Sequence, residues 1–363
     1  MDFKKAFTKR KNLVTMTIFG LCAVIIAYGY SKYASDGSRL RNEATVAIAE
    51  GRLIKAEDLL KKAQASDIAR FGSESSVVAT GLVSLGTVYM RQGRIAEAHE
   101  AFARARDIER KTMRPELLAL TNSLIGLGNA NLQQGKYEQA ESYLQQALAI
   151  REDNLVPGSP GIAEAENSLG RLYSEIGSYA QAESLFKEAL AIYEKQKGNE
   201  SVDAADVRNN LAGLYMMTGK RDQSEQLFKW SVAIYQRIKP GSVELANAEN
   251  NLAELYRIER RFGDAEPLFK QAISIYQNAS GTDSTSVANS CNNLALLYRE
   301  QGKFSEAEGL FKRAVAIYEK TPSIDNGQLA NVLTNYAEML SASGRGAEAV
   351  AVQKKAVRLV AGR

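Results

Sequence analysis

The chain has 363 residues, of which 45% are hydrophobic and 24% charged, the balance of a folded protein. Its net charge of +4 comes from residues 1–36, so the rest is neutral and lacks the basic excess of a nucleic-acid-binding protein. One histidine and two cysteines give no zinc spacing and no catalytic pair. We therefore predict no catalytic residue, no metal site, no cofactor and no nucleic-acid partner.

The first predicted element is a transmembrane signal-anchor helix over residues 13–30. A basic tail at 1–12 precedes it, and the eighteen uncharged residues of the span reach about 27 Å, close to the thickness of a bilayer. The excess of basic residues before the span places the N-terminus in the cytoplasm. After a linker at 31–36, the remainder lies outside the cytoplasm, in the periplasm if the host is bacterial. The sequence thus predicts a single-pass membrane protein with the lipid bilayer as one partner.

Three other interpretations of this segment compete with the anchor. A cleaved signal peptide needs small residues before the cut, and no good pair follows Ile26. A lipoprotein would use Cys22, but Leu21 is too large for the residue before it. A buried globular helix fits poorly because the segment is apolar all round. In a eukaryotic host the anchor could instead face the cytosol from an organelle.

An internal repeat of about 42 residues occupies the rest of the chain. Glycines recur at this spacing, with Arg260 holding the glycine position in one unit: Gly51, Gly93, Gly135, Gly177, Gly219, Gly302 and Gly344. Such a period indicates a solenoid. The register divides the array at 37–363 into eight units: 37–78, 79–120, 121–162, 163–204, 205–245, 246–287, 288–329 and 330–363.

Each unit is predicted to be a pair of helices. Leu294, Leu297 and Tyr298 follow the spacing of one helix face, and the residues from Phe304 to Tyr318 follow the same rule. Gly302 separates them, because a glycine adopts the left-handed conformation that ends a helix. One such hairpin cannot bury its apolar face alone, so the units must stack into an all-α solenoid.

The order Leu-Gly/Ala-x-x-Tyr, Gly, Ala, Phe, Ala in each unit resembles the tetratricopeptide repeat. The sequence pattern "NNLAxLY…GKFSEAExLFKRAVAIYE" is similar to the 42-residue form of kinesin light chains. The proline that closes the shorter 34-residue form and the His-Pro-Asp linker are both missing. The resemblance implies a right-handed superhelix of about eight units, preceded here by the transmembrane helix. It also implies that the first helix of each unit lines a concave groove that binds peptides.

Asparagines recur on these first helices, although asparagine is a mediocre helix former. The predicted groove residues of this type are Asn167, Asn209, Asn210, Asn250, Asn251, Asn292, Asn293 and Asn335. A carboxamide both donates and accepts, so a row of them can bind the main chain of an extended segment. The alternative is that they bond between neighbouring repeats. Their pairing suggests both, with one asparagine of each pair facing the groove.

Other side chains share the predicted groove. They are Arg171, Arg257, Arg299, Met216 and Met217. Arg257 and Arg299 match across one repeat and could hold one carboxylate together, and the methionines form a soft surface. Trp230 is predicted on the outer face, either as a contact for a partner or as an ordinary exposed apolar residue.

Two further residues have competing interpretations. His99 is predicted to be a solvated surface residue rather than a catalytic one, and Cys291 to pack as a small residue rather than to react. The predicted function is a membrane-anchored, non-enzymatic scaffold or receptor that binds an extended segment of an unidentified protein, with self-association possible. The alternative is an envelope assembly factor associated with polysaccharide export or glycan binding, which aromatic density in the groove would favour. An enzyme is the third class.

Overall fold

The computed structural model describes residues 36–111, 117–321 and 326–361. These residues form sixteen helices and no strand, which confirms the all-α prediction. Helix α1 covers residues 36–49. The helices that follow are α2 (Leu53–Phe71), α3 (Ser76–Gln92), α4 (Ile95–Lys111), α5 (Leu117–Gln133), α6 (Tyr137–Asn154), α7 (Pro160–Glu175), α8 (Tyr179–Lys197), α9 (Val202–Met217), α10 (Arg221–Ile238), α11 (Val243–Ile258), α12 (Phe262–Ser280), α13 (Thr285–Glu300), α14 (Phe304–Lys320), α15 (Asn326–Ala342) and α16 (Gly346–Ala361).

Consecutive helices pack as antiparallel pairs, and each pair stacks on the next. We number the pairs as repeats 1 to 8, so that α1 and α2 form repeat 1 and α15 and α16 form repeat 8. In each repeat the odd-numbered helix is called the first helix and the even-numbered helix the second. The first helices of repeats 4 to 7 begin three residues before the boundaries drawn from the sequence, at Pro160, Val202, Val243 and Thr285.

The turn inside each repeat depends on a left-handed residue. All seven turn glycines have positive φ, between 70° and 81°, and Arg260 takes the same conformation with a φ of 60°. After Gly302, the Lys303 N–H donates to the Tyr298 carbonyl over 2.9 Å and so satisfies the end of α13. The spacing of glycines therefore predicted the turn geometry correctly, including the position where arginine replaces glycine.

Small residues allow the paired helices to approach closely. Ala182 and Ala307, which recur at the same position after the turn, are both 0% exposed. Phe102 lies against two glycines: a β-carbon would be 2.7 Å from its ring at Gly86 and 2.4 Å at Gly126. The core is therefore built from alternating small and aromatic side chains, as the repeat predicted.

The predicted membrane localisation is corrected by the structure. No helix within residues 36–111, 117–321 and 326–361 is both long enough and apolar enough to cross a bilayer. Helix α14 shows the reason, because it buries Phe311 and Ala314 but carries Lys312 and Arg313 beside them. This finding overturns the prediction of a single-pass membrane protein. The tail at 1–12 and the transmembrane helix at 13–30 lie outside the described residues.

The superhelix is tight enough for its successive turns to touch. Helix α12 of repeat 6 contacts α2 of repeat 1 and α3 of repeat 2. Gly51, at the turn of repeat 1, lies against Gly241, because a β-carbon there would be 2.7 Å from the Gly241 carbonyl oxygen. At the next repeat, Gly93 lies against the Thr285 hydroxyl in the same way. The axis of the superhelix is thereby enclosed rather than open along one side.

Candidate functional site: the concave surface

The first helices enclose a cavity of about 1670 Å³ on the concave side of the superhelix. Repeats 2 to 8 contribute to its lining, from Val83 on α3 to Gln328 on α15. Asparagines of repeats 3 to 7 line it, namely the five predicted groove residues Asn167, Asn209, Asn210, Asn250 and Asn251, together with Asn122, Asn129, Asn247 and Asn289. The predicted groove residues Asn292, Asn293 and Asn335 are not among its lining residues. The cavity is larger than a typical small-molecule pocket and has the shape of a channel.

The asparagine pairs form a ladder of hydrogen bonds between repeats. In each rung the second asparagine of one repeat donates from Nδ2 to Oδ1 of the first asparagine in the repeat before it. The rungs are Asn210 to Asn167 (3.0 Å), Asn251 to Asn209 (3.4 Å), Asn293 to Asn250 (3.4 Å) and Asn335 to Asn292 (3.0 Å). Four rungs therefore link repeats 4 to 8, and both members of every pair take part.

The rungs between repeats 4 and 6 leave one group of each carboxamide unused among the described residues. In the rung between repeats 5 and 6, Asn209 Nδ2 and Asn251 Oδ1 have no partner within the described residues. The rung between Asn210 and Asn167 leaves the equivalent two groups without a partner in the described part of the chain. Asn250 is busier, because its Oδ1 also accepts from Ser290. The sequence predicted that one asparagine of each pair faces its neighbour and the other the groove. In the structure both members of a pair bond to a neighbouring repeat, and of the rungs that the structure describes, only those between repeats 4 and 6 keep one group of each carboxamide free for the channel.

The predicted groove arginines are held by their own carboxylates. Arg257 binds Glu254 and, across one repeat, Glu300. Arg299 binds Glu338 over 2.6 Å. Arg257 and Arg299 therefore do not share an open site for one external carboxylate, and each is already neutralised.

Arg171 occupies the corresponding face of repeat 4. Its Nη1 donates to Asn129 Oδ1 over 3.4 Å, and burial lowers the pKa of its guanidinium. Asp206 lies on the same wall of the channel and accepts a hydrogen bond from the Tyr235 hydroxyl. Burial raises the pKa of Asp206 to about 6, so this carboxyl is a weak acid in a poorly solvated wall.

The two methionines of repeat 5 differ in exposure. Met217 is 52% exposed and lines the cavity, where its sulfur lies 3.8 Å from the Ser174 hydroxyl. Met216 is partly buried and packs on the core. Only Met217 is thus available to contact a ligand in the channel.

A sequence profile of the tetratricopeptide repeat matches residues 38–111, 77–153, 117–195, 161–237 and 244–320, which together cover most of the chain. The chain belongs to the tetratricopeptide repeat family. No functionally curated protein matches it significantly. As a scaffold-type member of a family that binds protein partners, it is an interaction protein. Neither a bilayer nor self-association gains support as a partner.

Several solved structures are similar to this chain. The BtubC (BKLC) protein of P. vanneervenii is 25% identical over 64% of this chain and 91% of its own, with a TM-score of 0.53. Aspartyl phosphate phosphatase F of Bacillus subtilis is 12% identical over 90% of this chain and 94% of its own, with a TM-score of 0.51. A putative kinesin light chain from Podosopora anserina is 24% identical over 57% of this chain and 98% of its own, with a TM-score of 0.45.

A second set of contacts between repeats involves residues that do not line the cavity, and the sequence did not predict it. At most junctions a tyrosine hydroxyl of the first helix donates to a glutamate on the second helix of the previous repeat. Tyr298 donates to Glu266 over 2.9 Å, and Tyr256 to Glu225 over 3.1 Å. We call this contact the tyrosine–glutamate bond. The signal was present in the sequence, since a glutamate recurs at the same position of six second helices.

His99 occupies this glutamate position in repeat 2 of the tetratricopeptide array. It is partly exposed, and its pKa is lowered by burial and by the charges of Lys136 and Arg106. In the next first helix the tyrosine position is held by Asn131, which is buried and whose Oδ1 has no partner in the described residues. The junction between repeats 2 and 3 therefore lacks the tyrosine–glutamate bond.

Trp230 packs on an arginine side chain, and Cys291 is buried. Trp230 is 40% exposed, and the guanidinium of Arg208 lies 3.6 Å from its ring centre. Arg208 is fully buried beneath it and binds the partly exposed Glu194 over 2.5 Å, so the tryptophan covers the buried arginine of an ion pair. Cys291 is 0% exposed, and burial raises the pKa of its thiol to about 11, which disfavours the reactive thiolate.

Proposed function

We propose that this tetratricopeptide repeat protein is a non-enzymatic scaffold that binds an extended segment of a partner protein inside its concave channel. The observation that carries the proposal is the asparagine ladder. The rungs between repeats 4 and 6 each hold one N–H donor and one oxygen acceptor that have no partner within the described residues. Because each carboxamide is already fixed by its sideways bond, little side-chain entropy is lost when a ligand binds.

The chemistry of the ladder matches a polypeptide main chain. An extended strand presents one N–H and one C=O per residue at a rise of roughly 3.3 Å. Neighbouring helices lie roughly 10 Å apart, so about three residues of a bound segment would span one rung. Carboxamides are uncharged, and they therefore support binding of the main chain whatever the side chains of the segment are.

The alternative of glycan binding has less support. Sugar recognition by stacking would need several exposed aromatic side chains on the concave face. The exposed aromatic residues of the described ranges are Phe71, Tyr137, Tyr179 and Trp230. All four lie on second helices, and of the four only Tyr137 reaches the cavity. Trp230 is already stacked on Arg208.

The partner segment is first identified from inside the channel. A photo-crosslinking amino acid at Met217, which is exposed in the cavity, should capture the partner in living cells. The same amino acid at Arg104, which is exposed on a second helix, serves as the control. Sequencing the crosslinked peptide then defines a segment that can be synthesised and measured.

The triple variant N167A/N209A/N251A tests the ladder against that synthetic segment, because all three residues line the cavity. It removes the two rungs between repeats 4 and 6, and each hydrogen bond lost to the ligand should cost about 1 kcal/mol, or roughly fivefold in Kd. Isothermal titration should therefore show roughly 10-fold to 100-fold weaker binding. The matched control replaces three exposed asparagines away from the channel, in N154A/N199A/N278A. Unchanged affinity of the first variant, with a lower melting temperature, would show that the ladder only joins repeats.

A further inference from the structure

The contact between successive turns of the superhelix is a defined surface, which we call the seam. One side consists of Gly51, Arg91 and Gly93 from repeats 1 and 2. The other side consists of Gly241, Glu244 and Thr285, from the loop before α11 and the starts of α11 and α13. The seam joins parts of the chain about five repeats apart, so it is additional to the stacking of neighbours that holds a solenoid together.

Equivalent positions in other repeats show how much the seam covers. Gly51 is buried and Gly93 partly buried, whereas Gly135 and Gly177 are exposed at the same turn position. Leu53 is 0% exposed, while Tyr137 and Tyr179 at its position in repeats 3 and 4 are 43% and 39% exposed. The repeats are the same structural unit, so the difference in burial comes from the contact between turns.

The other side of the seam shows the same effect. A serine caps each of the first helices α3, α9, α11 and α13, and Ser201 before α9 is partly exposed. Ser242, the cap of α11, is only 1% exposed, and Ser284, the cap of α13, is 8% exposed. Both faces of the seam therefore lose contact with water.

One ion pair crosses the seam. Arg91 Nη2 lies 2.7 Å from Glu244 Oε1, with side chains 26% and 15% exposed. Lys239 is a more distant partner of Glu244, at 3.9 Å. Asp206 faces the same charges from α9, and Arg91 is one of the cations that offset its negative charge. Removing Arg91 would leave two carboxylates together in a poorly solvated place, which favours separation.

The small extent of the seam makes it reversible. Its backbone contacts are between glycines and short polar side chains, and Ile54 lies only 3.9 Å from where a β-carbon at Gly281 would be. Ile54 itself remains 59% exposed. The seam does bury Leu53, but α12 contacts α2 and α3 over far fewer residues than it contacts its neighbours α11 and α13. Because small interfaces are the weaker ones, the seam can separate while every neighbouring repeat stays packed.

We propose that the seam is a latch: the superhelix opens there, and a partner segment enters the channel sideways through the separated turns. The inference builds on the proposed function, because it describes how that channel is reached. A closed channel could admit only the free end of a chain, whereas an opened seam admits an internal segment. The Arg91–Glu244 pair sets the balance between the two forms.

The first experiment measures opening in the full chain without any partner. Nitroxide labels are placed at Lys55 and Thr282, exposed residues on the two sides of the seam, in a background with Cys22→Ser and Cys291→Ala. Pulsed electron resonance should report a short distance for the parent. R91E should shift the distribution to longer distances, and the swap R91E/E244R should restore the short one.

Two controls protect this result. R104E reverses a charge on the exposed side of α4, and it should leave the distances unchanged. Circular dichroism should show the parent helix content in R91E, because no pair of neighbouring repeats is altered. If R91E keeps the parent distances, or if the swap fails to restore them while the protein is folded, the latch is refuted.

The second experiment measures access to the channel with a chemical probe. A cysteine at Met217 is reacted either with N-ethylmaleimide or with a maleimide attached through its ring to the middle of a long polyethylene glycol chain. R91E should accelerate the polymer reaction by roughly tenfold and leave the small reagent unaffected. Equal polymer rates in the parent and R91E would show that opening does not control entry. Neither readout uses a protein partner. The latch can therefore be refuted while segment binding is supported, and segment binding can be refuted while the latch is supported.

Discussion

The junction between repeats 2 and 3 and the junctions among repeats 4 to 8 solve the same stacking problem with different contacts. Between repeats 6 and 7, Asn293 donates a hydrogen bond to Asn250, and Tyr298 donates one to Glu266. Between repeats 2 and 3, neither bond exists among the described residues. Instead the ring of Phe102 lies directly on Gly126, at the position where the later repeats carry the second asparagine.

This difference shows which contacts are needed to stack two repeats and which are additional. A ring packed on glycine is sufficient to join two repeats, so carboxamide rungs are not required by the fold. Asparagine also costs roughly 0.6 kcal/mol relative to alanine inside a helix. Under the proposed function the rungs mark the repeats whose concave face binds the partner segment, and repeats 2 and 3 serve as an internal reference without them.

Breaking the ring-on-glycine contact should have the largest effect. In G126A the new β-carbon would lie 2.4 Å from the Phe102 ring, which Gly86 holds from the other side. Overpacking of this kind costs about 1–3 kcal/mol. Thermal unfolding should begin at a lower temperature, and hydrogen exchange should show α4 and α5 losing protection first.

The control is G213A, in the middle of α9. Nothing lies within 4 Å of a β-carbon there, so alanine should stabilise the helix by about 0.5–1 kcal/mol. Opposite signs for the two Gly→Ala changes would establish that Phe102, and not glycine as such, sets the cost. If G126A is as well tolerated as G213A, repeats 2 and 3 are not joined by the ring.

A smaller loss of stability is expected when the tyrosine–glutamate bond of a later junction is removed. Y298F deletes the hydroxyl that donates to Glu266 over 2.9 Å. The expected cost is about 1 kcal/mol, because Glu266 keeps its bond to Lys270. Hydrogen exchange of α12 and α13 measures it. Y137F, at a tyrosine that is 43% exposed, should change nothing, and equal losses in both variants would count against the tyrosine–glutamate bond.

Most of the fold could be predicted from the sequence because its signals are local and repeated. The turn glycines gave the left-handed positions, and even Arg260 follows them with a φ of 60°. The close contacts at Ala182 and Ala307 followed from the same register. Identical local patterns in eight units leave little freedom for any other arrangement.

The candidate site was predicted only in part, for a physical reason. The asparagine positions were found, but their sideways pairing depends on how far one repeat is displaced from the next, which spacing alone does not give. The seam was not found at all. Gly51 and Gly177 occupy the same position in the repeat, yet one is buried and the other exposed. Only the pitch of the whole superhelix decides which turns meet.

Acid should affect the stability of the two kinds of junction differently. This is the smallest of the expected effects, but its direction at each junction is clear. Hydrogen bonds from Lys187 and Lys220 lower the pKa of Glu183 to about 2, and those from Arg345 and Lys312 do the same for Glu308. A lowered carboxyl pKa contributes stability above the ordinary value of 4.5, and this is lost as the pH falls toward 2. The junctions between repeats 4 and 5 and between repeats 7 and 8 should therefore resist mild acid.

His99 makes the junction between repeats 2 and 3 sensitive to milder acid. Its pKa is lowered from 6.5 by burial, and by Lys136 and Arg106. The unfolded chain therefore takes up the proton more readily, and the junction weakens as the pH falls through 6.5. Between pH 8 and pH 5, exchange of the α4 and α5 amides, corrected for intrinsic rates, should accelerate while α9 and α15 remain protected. H99Q should abolish this acceleration, and a parent whose junctions all weaken together near pH 4 would show that His99 does not distinguish them.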